Sequence, residues 1–312
     1  MTIAFTFPGQ GSQAVGMGRE LAAAHPEARA VFDEVDEALG EKLSRIIFEG
    51  PIETLTLTEN AQPALMAVSL AAMRVLAAKG VAVDKAAYVA GHSLGEYSAL
   101  AAAGSLRVAD AARLLRIRGR AMQEAVPVGE GAMAALLGMD LEAARAIASE
   151  AAEGEVCDAA NDNGAGQVVV SGNRGAVERA VELAKARGAR RAVLLPVSAP
   201  FHCALMAPAA KVMAEALKDA AIGAPAVPVV ANVTALPESD PEAIRRNLID
   251  QVTGMVRWRE TVTFLAGAGV GMFVEVGAGK VLSGLARRIA DGVETLAAGT
   301  PEDIDAAAAR LA

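Results

Sequence analysis

The stretch that most constrains this chain is Ala86-Ala87-Tyr88-Val89-Ala90-Gly91-His92-Ser93-Leu94-Gly95-Glu96-Tyr97-Ser98-Ala99-Leu100. A short apolar run ends in Gly-x-Ser-x-Gly and passes straight into an Ala/Leu-rich helical segment, the strand–turn–helix context of a nucleophile elbow. A sharp turn there forces Ser93 into a strained backbone conformation, and only glycine at positions 91 and 95 lets the flanking strand and helix approach that closely. Ser93 Oγ is then exposed at the C-terminal edge of a sheet. The next helix points its free N–H groups and the positive end of its dipole at the same place, where an oxyanion would be stabilised. A chain with 30 glycines will match the pattern by chance; the strand before and the helix after set this match apart.

A length of 312 residues fits one large domain with an insertion, or two domains. Hydrophobic residues make up 53%, but the excess is alanine, which packs helices without making a membrane span. No charge-free apolar run reaches bilayer length. The start, Met1-Thr2-Ile3-Ala4-Phe5-Thr6-Phe7, lacks a basic segment and a small-residue cleavage site, so a cytoplasmic protein is expected. The two cysteines, Cys157 and Cys203, have no metal-ligand spacing and are expected to be packed, reduced thiols. A net charge of -8 argues against a nucleic-acid partner.

Residues 3–7 read as a first strand running into Pro8-Gly9-Gln10-Gly11-Ser12-Gln13. This loop lacks the Lys-Ser/Thr of a phosphate-binding P-loop and the full Gly-x-Gly-x-x-Gly spacing. A backbone N–H near Gln10, facing the Ser93 elbow, would supply the second oxyanion donor that hydrolase-like sites take from an early strand-to-helix loop. Amphipathic helices are expected over 17–39 and 60–79.

The helix over 108–124 carries Arg113, Arg116 and Arg120 on one polar face with Gln123. Arg118 falls on the other side, among Ala111, Leu114, Leu115, Ala121 and Met122. A guanidinium in an apolar stripe must be paired, because an unpaired buried charge is costly. Helix geometry admits two partners: a buried Asp or Glu of the chain, or a carboxylate that arrives with the substrate and is gripped bidentately.

From Val126-Pro127-Val128-Gly129 onward the pattern changes. Strands are expected at 132–138, 155–160, 167–171 and 190–198, with helices at 140–152 and 173–187. That β-α-β-β-α-β order is the ferredoxin-like arrangement, so 127–198 reads as a small subdomain inserted into a large domain of residues 1–126 and 199–312. Asn161-Asp162-Asn163-Gly164-Ala165-Gly166 reads as the turn between its middle strands, with a place at the mouth of the site as the alternative.

Of three histidines, His25 precedes Pro26 at a helix break, and the turn would send the side chain of His92 away from its neighbour Ser93. By elimination His202, in Ala199-Pro200-Phe201-His202-Cys203, is the candidate general base. The acids between Ser93 and His202 lie mainly in small-subdomain helices and turns, so a backbone carbonyl accepting from Nδ1–H is expected to orient the imidazole. The remainder alternates: helices near 207–220, 241–251, 257–268 and 279–290, and strands near 227–233, 272–276 and 294–298. The fold class is therefore α/β, with a mostly parallel, doubly covered sheet and its site at the C-terminal strand ends.

With Gly-Gln-Gly-Ser-Gln (9–13), Gly-His-Ser-Leu-Gly-Glu (91–96), Arg118 in Arg-Gly-Arg-Ala-Met-Gln, Pro-Phe-His (200–202) and Gln251 before Val-Arg-Trp (256–258) in view, the whole chain resembles the malonyl-CoA:acyl carrier protein transacylases. The resemblance implies a hydrolase-like large domain with a ferredoxin-like small one. It implies that Ser93 carries the malonyl group as an ester, that His202 is base and then acid, and that backbone N–H groups of Gln10 and Leu94 form the oxyanion hole. It further implies that Arg118 binds the free malonyl carboxylate and that the Gln251 carbonyl orients His202. The phosphopantetheine thiol of acyl carrier protein would then collect the acyl group. Malonyl-CoA and acyl carrier protein are the partners implied, with no cofactor, no metal, no nucleic acid and no membrane. Phe201 stands where many stand-alone members have serine; by analogy with related polyketide domains it accompanies malonyl rather than methylmalonyl selection.

The alternatives are a serine esterase or thioesterase on the same Ser93-His202 pair, a stand-alone acyltransferase of a polyketide pathway, and a catalytically silent carrier-binding module. An inward Arg118 would be of no use to a hydrolase of neutral acyl groups. For an acidic carrier, Arg187, Arg190 and Arg191, with Lys185 nearby, are a candidate docking patch, the alternative being an ordinary solvated helix end.

Overall fold

In the computed structural model, which describes residues 1–311, the strands run β1 (Thr2–Phe7), β2 (Tyr88–Gly91), β3 (Gly131–Leu137), β4 (Cys157–Asp162), β5 (Gln167–Asn173), β6 (Arg191–Leu194), β7 (Val229–Val230), β8 (Pro237–Glu238), β9 (Val270–Val276) and β10 (Glu294–Ala298). They form a six-stranded sheet of order β10-β9-β1-β2-β7-β8 and a four-stranded sheet of order β4-β5-β3-β6. In the larger sheet every pairing is parallel except β7 with β8; in the smaller one every pairing is antiparallel.

β1 is mostly apolar because both faces of its sheet are covered, and its one buried polar side chain, Thr6, donates to Val274 O. Ile3, Phe5 and Phe7 point into a core shared with helices Pro26–Leu39, Thr58–Ala78 and Val108–Glu124. Ala4, with Ala90 and Phe273, points to the opposite core under helices Trp258–Gly267 and Val281–Ile289. The chain steps from β1 to β2 on one side and from β9 to β10 on the other, so connections diverge around β1. The register sets Phe7 beside Gly91, which puts the Gly9–Ser12 loop next to the Ser93 turn.

In the smaller sheet the element order is strand, helix, strand, strand, helix, strand. Ala132, Ala134, Leu136, Val168 and Val170 pack under helices Leu141–Ala152 and Arg174–Ala186, while Met133, Ala135 and Val169 turn the other way into the main core. β4 is also tied to the large part of the chain: Asp162 N–H donates to Val256 O and Val256 N–H to Ala160 O. The small sheet is thus clamped over the ends of the large one.

Several strands differ from the sequence expectation, and β8 is absent from it. β6 stops at Leu194, since Pro196 offers no N–H to continue the ladder. β7 is two residues long because the chain folds back at Ala231, whose N–H bonds Leu236 O. β4 runs on to Asp162, so Asn161 and Asp162 are strand rather than turn. Helices Leu43–Glu49 and Ile52–Thr56 are too short for periodicity to announce. Arg116, expected on a polar face, is buried and bonded to Asn60 and Glu41.

Helix Thr58–Ala78 is long and apolar enough to cross a membrane, but most of it is buried against its neighbouring helices and β9. Its approach to helix Val108–Glu124 depends on Gly119, where a Cβ would stand 2.5 Å from Glu59 Cα and 2.6 Å from Thr58 O. Both obstacles are backbone, so neither can swing aside. Gly119→Ala is therefore expected to lower stability by about 1–3 kcal/mol, read as a shifted urea midpoint; an unchanged midpoint would contradict the close packing.

Candidate active site

Ser93 leaves β2 with φ +53°, a left-handed conformation that residues other than glycine rarely adopt. The two motif glycines permit the turn. A Cβ on Gly91 would lie 1.9 Å from the Gly95 carbonyl, and one on Gly95 would lie 2.3 Å from Phe7 O. Leu94 then caps helix Gly95–Ala102, whose first N–H groups, on Gly95 and Glu96, donate back to His92 O and Ser93 O.

His202 also takes a positive φ, +58°. Its Nε2 stands 2.8 Å from Ser93 Oγ, and Nδ1 lies 2.9 Å from Gln251 O and 3.1 Å from Gly254 O. Two carbonyls facing Nδ1 keep the proton there and leave Nε2 as an acceptor for the hydroxyl. Burial, and the charge of Arg118, push the imidazole down to about 3. His202 is accordingly neutral at ordinary pH, the form a general base requires.

Arg118 is 1% exposed, and its partners are neutral. Nη1 donates to Gln62 Oε1 at 2.6 Å; Nη2 donates to Gln251 Oε1 at 2.8 Å and to Ser93 Oγ at 3.1 Å. Its Nε is buried without a partner, and its guanidinium carbon lies 5.8 Å from the centre of the Tyr97 ring. Among the described residues Arg118 forms no ion pair, and desolvation lowers its pKa. Of the two pairings the helix admitted, an internal carboxylate is not the one found.

The elbow is pinned from below by Asn232, wholly buried. Its Oδ1 accepts from Ser93 N–H at 2.7 Å and its Nδ2 donates to Gly91 O at 2.7 Å, so one side chain grips the turn on both sides of the nucleophile. Glu96, also buried, accepts from Asn232 N–H and from Gln251 Nε2. Gln251 Nε2 donates to Ser93 O as well. Burial raises Glu96 to about 7, against the opposing effects of those hydrogen bonds and of Arg118.

The structure brings Ser93, His202, Arg118 and Gln251 into one hydrogen-bonded group. Gln10 lies beside it, its Oε1 accepting from Thr58 Oγ1 at 2.9 Å, and Phe201 is buried next to His202. His92 does turn away from Ser93: its Nε2 meets Asn163 Oδ1 at 2.9 Å and its ring lies 5.6 Å from that of Trp258. Asn163 thereby carries the small sheet onto the elbow, a role its turn-forming neighbours do not announce. Asn232, Glu96, Gln62 and Gly254 were not assigned roles from sequence. For Asn232 a signal existed, a lone amide interrupting the apolar run Val229-Val230-Ala231-Asn232-Val233.

The acyl transferase domain model matches residues 4–303. The malonyl CoA-acyl carrier protein transacylase of Bacillus subtilis is 49% identical over 306 residues, spanning 98% of this chain and 96% of that protein. Among solved structures, the acyl-carrier-protein-S-malonyltransferase of Bartonella henselae is 59% identical with a TM-score of 0.97, covering 100% of this chain and 99% of that one. A malonyl-transacylase solved in complex with a type II PKS acyl-carrier protein is 44% identical, TM-score 0.96, over 99% of this chain and 100% of that one.

The depressed His202 has a direct consequence. The rate of Ser93 modification by a small sulfonyl fluoride should hold as pH falls through 6.5, with its acid limb below about pH 5. A limb centred near 6.5 would contradict a buried, neutral imidazole.

Proposed function

The chain belongs to the acyl transferase family, and from that premise we propose that it transfers the malonyl group of malonyl-CoA to the phosphopantetheine thiol of an acyl carrier protein for fatty acid biosynthesis. The observation that carries this reading is Arg118: a buried guanidinium with no salt bridge among the described residues, 3.1 Å from the Ser93 hydroxyl. A malonyl ester on Ser93 has its carboxylate two carbons from the ester carbonyl, within reach of that guanidinium. A hydrolase of neutral acyl groups would keep the arginine uncompensated.

The reaction proceeds in two halves. His202 Nε2 takes the Ser93 proton as Oγ attacks the thioester carbonyl, and the oxyanion is met by the backbone N–H groups of Leu94 and Gln10. The C–S bond breaks, and the leaving CoA sulfur takes the proton back from His202. The carrier thiol then gives its proton to His202, its sulfur attacks the ester, and Ser93 Oγ leaves with that proton. The Gln251 carbonyl, with that of Gly254, holds His202 in the required tautomer throughout. Every step is a proton or acyl transfer among these groups, so no metal or cofactor is called for.

Arg118 also links binding to basicity. Its charge helps hold His202 down, and a bound carboxylate offsets that charge, so the imidazole becomes a stronger base when the correct acyl group is in place. Phe201 narrows the space at the malonyl α-carbon and disfavours a methyl branch there. The enzyme works in the cytoplasm, and its net charge of -8 suits neither nucleic acid nor an anionic membrane. For the carrier, Arg190 and Arg191 are the free part of the docking patch, since Lys185 pairs with Glu182 and Arg187 with Glu150. A type II PKS carrier is a second candidate acceptor, because a 44% identical relative was solved bound to one.

Intact-protein mass after brief mixing with malonyl-CoA tests the acyl-enzyme. Wild type is expected to gain one malonyl group and Ser93→Ala none. No adduct on wild type, or the same adduct on Ser93→Ala, would overturn the assignment.

A further inference from the structure

Three hydrogen bonds run head to tail along one wall of the site. Arg118 Nη1 donates to Gln62 Oε1 at 2.6 Å, Gln62 Nε2 donates to Thr58 Oγ1 at 3.0 Å, and Thr58 Oγ1 donates to Gln10 Oε1 at 2.9 Å. Arg118, Gln62 and Thr58 are each at most 1% exposed, so water does not compete for the first two bonds, and the third ends on the half-buried Gln10.

The direction of the chain follows from its first member. A guanidinium can only donate, so Gln62 must turn its carbonyl to Arg118 and its NH2 away. That NH2 occupies a lone pair of the Thr58 hydroxyl, whose single proton is then free for Gln10. Each link leaves the next one orientation. Thr58 and Gln62 are four residues apart on helix Thr58–Ala78, one above the other on the same face. The close seat of Gly119 against Thr58 O and Glu59 Cα holds that helix beside the one bearing Arg118.

We infer that Thr58 and Gln62 are positioning residues that tie the carboxylate clamp to the oxyanion loop, so that the arginine reading the free carboxylate also fixes the place of the Gln10 backbone N–H. The inference rests on the transacylase reading above, in which Gln10 is an oxyanion donor. It gives the amide and hydroxyl between the two groups a kinetic rather than a binding role. Neither touches the acyl group in this arrangement. Their loss should loosen the loop that meets the developing oxyanion and leave the carboxylate grip, through Nη2 and Nε of Arg118, largely in place.

The test is the single-turnover rate of Ser93 malonylation across malonyl-CoA concentrations, for wild type, Thr58→Val and Thr58→Ser. Valine keeps the shape and removes the hydroxyl; serine keeps the hydroxyl. Removing an oxyanion donor outright costs 10²–10³-fold, and a donor merely displaced should cost about tenfold. Thr58→Val is therefore expected to lose about tenfold in the limiting rate with half-saturation within about twofold of wild type, and Thr58→Ser to recover most of the rate. Thr58→Ala serves if the valine variant folds poorly. A Thr58→Val rate equal to wild type, a loss confined to half-saturation, or a serine variant as slow as the valine one would overturn the relay while leaving the transacylase intact. Wild type that takes up no malonyl group would instead remove the functional reading and the relay with it.

Discussion

The structure depends on a guanidinium placed where the fold supplies no salt-bridge partner among the described residues. Burying Arg118 among Gln62, Gln251 and the Ser93 hydroxyl satisfies part of its hydrogen bonding and leaves it without a salt bridge among the described residues, with Glu96 acting on its charge only from beyond Gln251. Such an arrangement stores a demand that a small anion can meet, and the nearest atom to that demand is the nucleophile. Gly119 exists to let two helices close over this point, and the glutamines on either side hold the planar group flat beside Ser93. The same charge weighs on His202 and on Glu96, so the clamp, the base and the elbow form one electrostatic unit.

Strain in the elbow is balanced by polar groups brought from far along the chain. Ser93 and His202 both sit at positive φ, conformations costing of order 1–3 kcal/mol each where nothing supports them. Support comes from Asn232 on both sides of Ser93 and from the carbonyls of Gln251 and Gly254 at His202. Asn232 owes its position to the early end of β7, where the chain leaves the sheet instead of continuing it. A strand shortened to two residues is thus what brings an amide to the floor of the turn.

The elbow itself was legible, because Gly-x-Ser-x-Gly between a strand and a helix leaves the backbone few alternatives, and the α/β alternation with a ferredoxin-like insert could be read from periodicity. The inward direction of Arg118 followed from helical spacing alone, and its carboxylate reading gains from neutral neighbours that spacing could not show. Arg116 shows the limit: the same periodicity put it on a solvated face, but Glu41 and Asn60 close over it from other elements. Asn232 is missed, and Asn163 reads first as a plain turn, for a related reason, since their partners Ser93 and His92 are 139 and 71 residues away. Local pattern announces which backbone a segment adopts; it does not announce which distant turn a polar side chain will reach.

The most direct measurement is the ratio of kcat/KM for malonyl-CoA to that for acetyl-CoA in Ser93 acylation, wild type against Arg118→Ala. A clamp that neutralises the guanidinium predicts a strong malonyl preference in wild type, lost or reversed in Arg118→Ala with acetyl loading equal or faster. A malonyl preference that survives the substitution, or a wild type that loads both acyl groups equally, would contradict the claim that the buried arginine awaits the substrate's carboxylate.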